Sequence, residues 1–140
     1  VDGVCELVFW AKSNNWGIIL VEFSGFGQTT QRILDAIGAY QHVDTVIKYT
    51  EDGGAEVCQC LKNNPCWSLN LLVCGVFGDA CVPATVRSLF EHNSLVEMDV
   101  VIDLVVPEYE SDYRVSYHDE GPPERSISLA SLRLQKSCVA

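Results

Sequence analysis

The sequence predicts an α/β domain: three layers, a mostly parallel sheet with helices on both faces, an N-terminal hairpin and a C-terminal β extension. Three observations carry this. Residues 69–77 form a nearly continuous apolar run, as in a strand covered on both faces. Residues 98–106 form a second such run, ended by Pro107. Amphipathic stretches alternate with the apolar ones, and a strand–helix–strand alternation implies right-handed crossovers between parallel strands.

In chain order, residues 6–10 and 18–23 read as two strands, with Asn14-Asn15 between them as a hairpin turn. Gly25 and Gly27 break the second run. Residues 29–40 read as a helix, with Ile33, Leu34 and Ile37 as its apolar stripe and Thr29 or Thr30 as its cap. A short strand at 43–49 follows, then a helix at 55–63 stopped by Asn64-Pro65. After the strand at 69–77, residues 82–92 read as a helix with Pro83 in its first turn and Asn93 as a left-handed terminator. Beyond Pro107 the character changes. Residues 108–124 are acidic and include Gly121-Pro122-Pro123, and residues 113–117 and 126–134 alternate like strands. The expected organisation is one core domain at 1–107, with an acidic loop and strand extension at 108–140 packed on it.

With 140 residues, the chain suits a single core, and its 48% hydrophobic content is that of a globular protein. It opens on Val1-Asp2-Gly3, which fits a processed or excised piece. No apolar run approaches the length of a membrane span. Nine basic residues stand against nineteen acidic ones, a net charge of -10. Phosphate neutralisation dominates nucleic-acid affinity, so neither nucleic acid nor an anionic membrane is an expected partner. A protein partner, met through acidic residues 108–124, is expected instead.

The seven cysteines are odd in number, and most sit in apolar segments. That argues for free thiols in a reducing, intracellular compartment, the cytoplasm first. Cys58, Cys60, Cys66 and Cys74 lack the paired spacing of a zinc site, and no metal or cofactor is expected.

The sharpest feature is Gly75-Val76-Phe77-Gly78-Asp79-Ala80-Cys81-Val82-Pro83-Ala84-Thr85-Val86-Arg87. It follows the most apolar strand and opens a helix. Ligands bind at the carboxyl ends of strands in open α/β sheets. The positive end of a helix favours negative charge on sulfur, and its free N–H groups can hold an oxyanion. Cys81 is therefore the best nucleophile candidate.

This segment resembles the isochorismatase-like cysteine hydrolases, which include nicotinamidases and carbamoylsarcosine amidases. Gly75, Val76, Asp79, Cys81, Val82, Ala84 and Thr85 match the family's pattern around its nucleophile, and the strand ending Val101-Ile102-Asp103 is similar to the family's next one. The match is specific over residues 75–87 and loose over the rest of 18–104. The resemblance implies an aspartate base at the end of the first core strand; Glu22 stands there after Ile18-Ile19-Leu20-Val21. It also implies a lysine ahead of the nucleophile segment, for which Lys48 is the nearest match. The stretch between the two is shorter than the family's, as though a strand and helix were missing. His42, His92 and His118 do not match the metal-binding cluster of nicotinamidases. A looser likeness, centred on Asp79, Val82-Pro83 and Val86-Arg87-Ser88-Leu89, is to nuclease domains of the NYN type; these need acids at strand ends, whereas the expected first strand ends Phe9-Trp10-Ala11. Gly25-Phe26-Gly27-Gln28-Thr29-Thr30 reads as a tight turn, lacking the lysine of a phosphate loop.

Two functions follow as expectations. One is a non-catalytic or degenerate domain acting as an interaction or structural subunit. The other is an active hydrolase cleaving the C–N bond of a small amide, with Cys81 as nucleophile, Glu22 as base and Lys48 stabilising developing charge.

Overall fold

The computed structural model describes residues 1–76, 80–106 and 125–126. Among these described residues, four helices and five strands follow in the order α1 (Asp2–Ser13), β1 (Ile18–Phe23), α2 (Gln31–Ile37), β2 (Val43–Lys48), α3 (Gly54–Asn63), β3 (Asn70–Val76), α4 (Cys81–His92), β4 (Glu97–Val106) and β5 (Arg125–Ser126).

The hairpin expected at the N-terminus is instead a helix. Val4, Leu7, Val8 and Ala11 recur at helical spacing, and the last three are buried. Reading only residues 6–10 hid this stripe, because two of its members lie outside that window. The stretch at Phe9-Trp10-Ala11 is likewise helical and ends no strand. Asn14-Asn15 terminates the helix rather than reversing a hairpin: the Asn14 N–H donates to the Trp10 carbonyl at 3.1 Å. Asn15 then takes the left-handed conformation, with φ 59°. Lys12 Nζ donates to the Ala36 carbonyl at 2.7 Å, tying α1 to α2.

All described strand pairs are parallel. β1 pairs with β2 from Ile18↔Val43 to Phe23↔Lys48. β3 pairs with β4, with an irregularity between Val73 and Gly75. β5 adds to the far edge of β4, Asp99 opposite Arg125 and Val100 opposite Ser126. The rest of the expected strand at 126–134, and all of that at 113–117, lie outside the described residues. One continuous sheet was expected; hydrogen bonding among the described residues instead makes two ladders, β1–β2 and β3–β4–β5, with none joining β1 to β3.

The layering is that of an α/β fold. On one face, Ile19 of β1, Val46 of β2 and Leu71 and Val73 of β3 pack against Val57, Cys58 and Leu61 of α3 and Val82, Val86 and Leu89 of α4. On the other face, Ile18 and Leu20 of β1 and Val43 of β2 meet Val8 of α1 and Ala36 and Ile37 of α2. Alternate residues of β1 thus face opposite helix layers, as the two-residue repeat of a strand dictates. At the end of α4, Asn93 is extended (φ -152°, ψ 101°), not left-handed. Its Oδ1 accepts the Leu95 N–H at 3.0 Å, so the side chain turns the chain that a left-handed backbone would otherwise have turned. No described helix is long and apolar enough to cross a membrane.

Candidate functional site

Cys81 is the first residue of α4 and half-buried. Ala80 stands at the N-cap of α4 and supplies no capping side chain, and Pro83 has no N–H to place. The Ala84 N–H already donates to the Ala80 carbonyl at 3.1 Å. Two first-turn amides beside a half-exposed thiol are a chemically competent start for acyl transfer.

Lys48 ends β2 and is only 5% exposed. Its ammonium donates to the Glu51 carbonyl at 2.6 Å and lies 4.9 Å from the centre of the Phe23 ring. This is a solvated-charge substitute made of one carbonyl and one π face. The chain then turns at Gly53, whose N–H donates to Thr85 Oγ1 at 2.9 Å. A Cβ at Gly53 would sit 3.2 Å from both the Lys48 and Val21 side chains and 3.4 Å from Thr85 Oγ1. Thr85 is one turn along α4 from Cys81. Lys48 therefore packs beside Gly53, and Gly53 in turn is hydrogen-bonded to α4 through Thr85. The sequence reading did not single out Gly53 or Thr85 for this link. The Gly53-Gly54 doublet between a strand and a helix was the available signal.

Glu22 does not join them. Phe23 of β1 shares the α3/α4 face with Lys48, and Val21 reaches Gly53 there. Glu22 lies between these two residues, on the face that Ile18 and Leu20 present to α1 and α2. Its Oε1 accepts the Thr29 N–H at 2.8 Å, bracing the turn that leads into α2. Among the described residues, then, Lys48 sits beside Gly53, which is hydrogen-bonded to α4, and Glu22 braces the turn at Thr29 on the other face.

The remaining thiols have other settings. Burial pushes the Cys74 thiol up to about 11. Cys60 is pushed up to about 11 by burial first, then by the Asp44 carboxylate, to which its thiol donates at 3.5 Å. Burial also raises Cys58, against a lowering pull from Lys62. Thiols held protonated in this way are poor nucleophiles. A cleft of about 280 Å³ between Gln41–Val43 and Asn63–Trp67 lies at the amino end of β2, the opposite end from Lys48 and Cys81. No group of three or more potential metal ligands occurs among the described residues.

No protein-family model matches the sequence, and no curated protein does. Solved structures do. A nicotinamidase from Staphylococcus aureus superposes with a TM-score of 0.67 at 13% identity, over 85% of this chain and 79% of that one. The MAR1 ribonuclease from Caenorhabditis elegans gives 0.75 at 18% identity, over 94% and 67%. An N-carbamoylsarcosine amidase from Thermoplasma acidophilum gives 0.62 at 13% identity, over 90% and 83%. The fold is that of the isochorismatase-like cysteine hydrolases, as residues 75–87 implied. Identities this low speak for the fold alone.

Proposed function

We propose that this isochorismatase-like chain is a non-catalytic or degenerate hydrolase-fold domain, serving as a protein-interaction or structural subunit. One observation carries the reading: the polar groups that Cys81 needs are spent on the scaffold. Glu22 holds the turn at Thr29 on the face away from α4, and Lys48 holds the Glu51 carbonyl. A base must lie within hydrogen-bond or one-water reach of the proton it takes. Misplacement by about 1 Å can cost on the order of a hundredfold in rate. The acidic segment 108–124, outside the described residues, is the part of the chain we assign to a protein partner, in a reducing compartment.

A second reading, an amidohydrolase, has its own support in the half-buried Cys81 at the start of α4 and in Lys48 beside Gly53, which is hydrogen-bonded to that helix. In it, the Cys81 sulfur attacks the amide carbon, the C–N bond breaks, the amine leaves with a proton, and water hydrolyses the thioester.

Alkylation separates the two. Iodoacetamide labelling of native protein, resolved by peptide mass, compares Cys81 with Cys66, whose thiol is exposed. The scaffold reading expects Cys81 to react no faster than Cys66 at neutral pH; a Cys81 faster than Cys66 by about tenfold or more refutes it. Glu22→Gln adds an independent check, because the amide oxygen still accepts from Thr29. Stability should hold, and any small-amide hydrolysis that Glu22→Gln abolishes would establish Glu22 as a base.

A further inference from the structure

Among the described residues, the two ladders leave facing edges unpaired: β1 is hydrogen-bonded there only to β2, and β3 only to β4, yet both contribute to one apolar core under α3 and α4. The order across the fold follows from handedness. β1 passes to β2 through α2, which lies on one face, and β2 passes to β3 through α3, which lies on the other. With right-handed crossovers, the second connection must run back past β1, giving the order β2, β1, β3, β4. Contacts agree: a Cβ at Gly17, just before β1, would lie 2.5 Å from the ring of Trp67, just before β3.

Between β1 and β3 the described residues leave an unpaired interval, and the exposure of the two strands agrees. Strands sandwiched between helix layers are normally buried on both faces. Here none of the six β1 residues is buried, and neither is any of residues 71–75 of β3. Val21, in the middle of the domain, is 40% exposed. The helix residues packed above these strands are closed off completely, Val86 at 0% and Leu89 at 2%.

α1 identifies what fits. It packs with α2 on the same face of β1 and leads into β1. A right-handed crossover through α1 must therefore start from a strand on the β3 side of β1. We propose that the interval between β1 and β3 is a strand-binding groove. Its occupant is an extended apolar strand of about five residues, parallel to both neighbours, whose carboxyl end runs into α1. The groove offers two rows of backbone donors and acceptors, so the occupant needs its own N–H groups on both sides. With helix layers above and below, it carries Val- or Ile-type side chains on both faces.

The test appends short extensions to the amino end of the full chain and reads amide hydrogen exchange by NMR. The extension Val-Ile-Val-Ile-Val should slow exchange at β1 and β3 by at least about tenfold relative to a Gly/Ser extension of equal length. A central proline in the apolar extension should remove most of that protection. Equal exchange for the apolar and Gly/Ser extensions overturns the proposal. So does protection confined to the outer edge of β2, or protection that grows with protein concentration, which would mean that a second copy fills the groove. If the apolar extension precipitates, Thr-Val-Thr-Val-Thr serves as the soluble variant; no protection there overturns the proposal equally.

Discussion

Replacing Gly54 by alanine should destabilise the protein, although alanine is the better helix former. Gly54 opens α3 and sits against α4. A Cβ there would lie 2.4 Å from Ser88 Oγ, 2.6 Å from Ser88 Cβ and 2.9 Å from the Leu89 backbone nitrogen. Real contacts of that length do not persist, and one of the three obstacles is backbone, which cannot rotate away. Ser88 and Leu89 are 5% and 2% exposed, so α4 has little room to retreat. Overpacking of a closed site costs about 1–3 kcal/mol, and the upper end applies here. The helix-propensity gain of Ala over Gly is about 1 kcal/mol. The steric term wins by roughly 2 kcal/mol, which for a domain of this size lowers Tm by about 8 °C. Urea unfolding followed by circular dichroism measures it. Ser88→Gly removes two of the three obstacles, so Gly54→Ala should cost about 1 kcal/mol less on that background. An unchanged or raised midpoint for Gly54→Ala would refute the close packing of α3 on α4.

Alkaline pH should weaken the fold through Cys60 and Cys74. Both thiols are raised from 9.0 to about 11 in the folded state. A raised folded value means that the stabilising contribution is complete below about pH 9 and is lost as pH rises through about 11. Each site contributes on the order of 2–3 kcal/mol across that window. Cys60→Ala and Cys74→Ala should each flatten the fall of unfolding free energy between pH 9 and 11; an undiminished slope in both variants counts against burial of these thiols. Gly17→Ala, with its Cβ 2.5–2.7 Å from the Trp67 ring, should cost about 1–3 kcal/mol, and Trp67→Leu should relieve most of it. A Gly17→Ala penalty that survives in the Trp67→Leu background would mean that the ring is not the obstacle.

What the sequence by itself determined is local. The amphipathic stripe Ile33, Leu34 and Ile37, the proline in the first turn of α4 and the apolar run into β3 each report a short-range preference, so α2, α3, α4 and β1–β4 were legible to within a residue or a few at their ends. The end of β3 near Val76 and a helix start with a thiol at Cys81 were legible too, because their residue types act through neighbours in the chain. α1 was not legible from residues 6–10, since its stripe needs four positions spread from Val4 to Ala11. Tertiary structure alone placed the candidate side chains. Glu22 looked available because it ends an apolar strand, but strand parity turns it towards α1 and α2, where the Thr29 N–H takes its carboxylate. Lys48 falls on the opposite parity and packs beside Gly53, whose N–H donates to Thr85 of the helix that Cys81 opens. Parity relative to the helix layers, and the unpaired interval between β1 and β3, depend on which elements meet across the core. That is a property of non-local packing, and no window of neighbouring residues contains it.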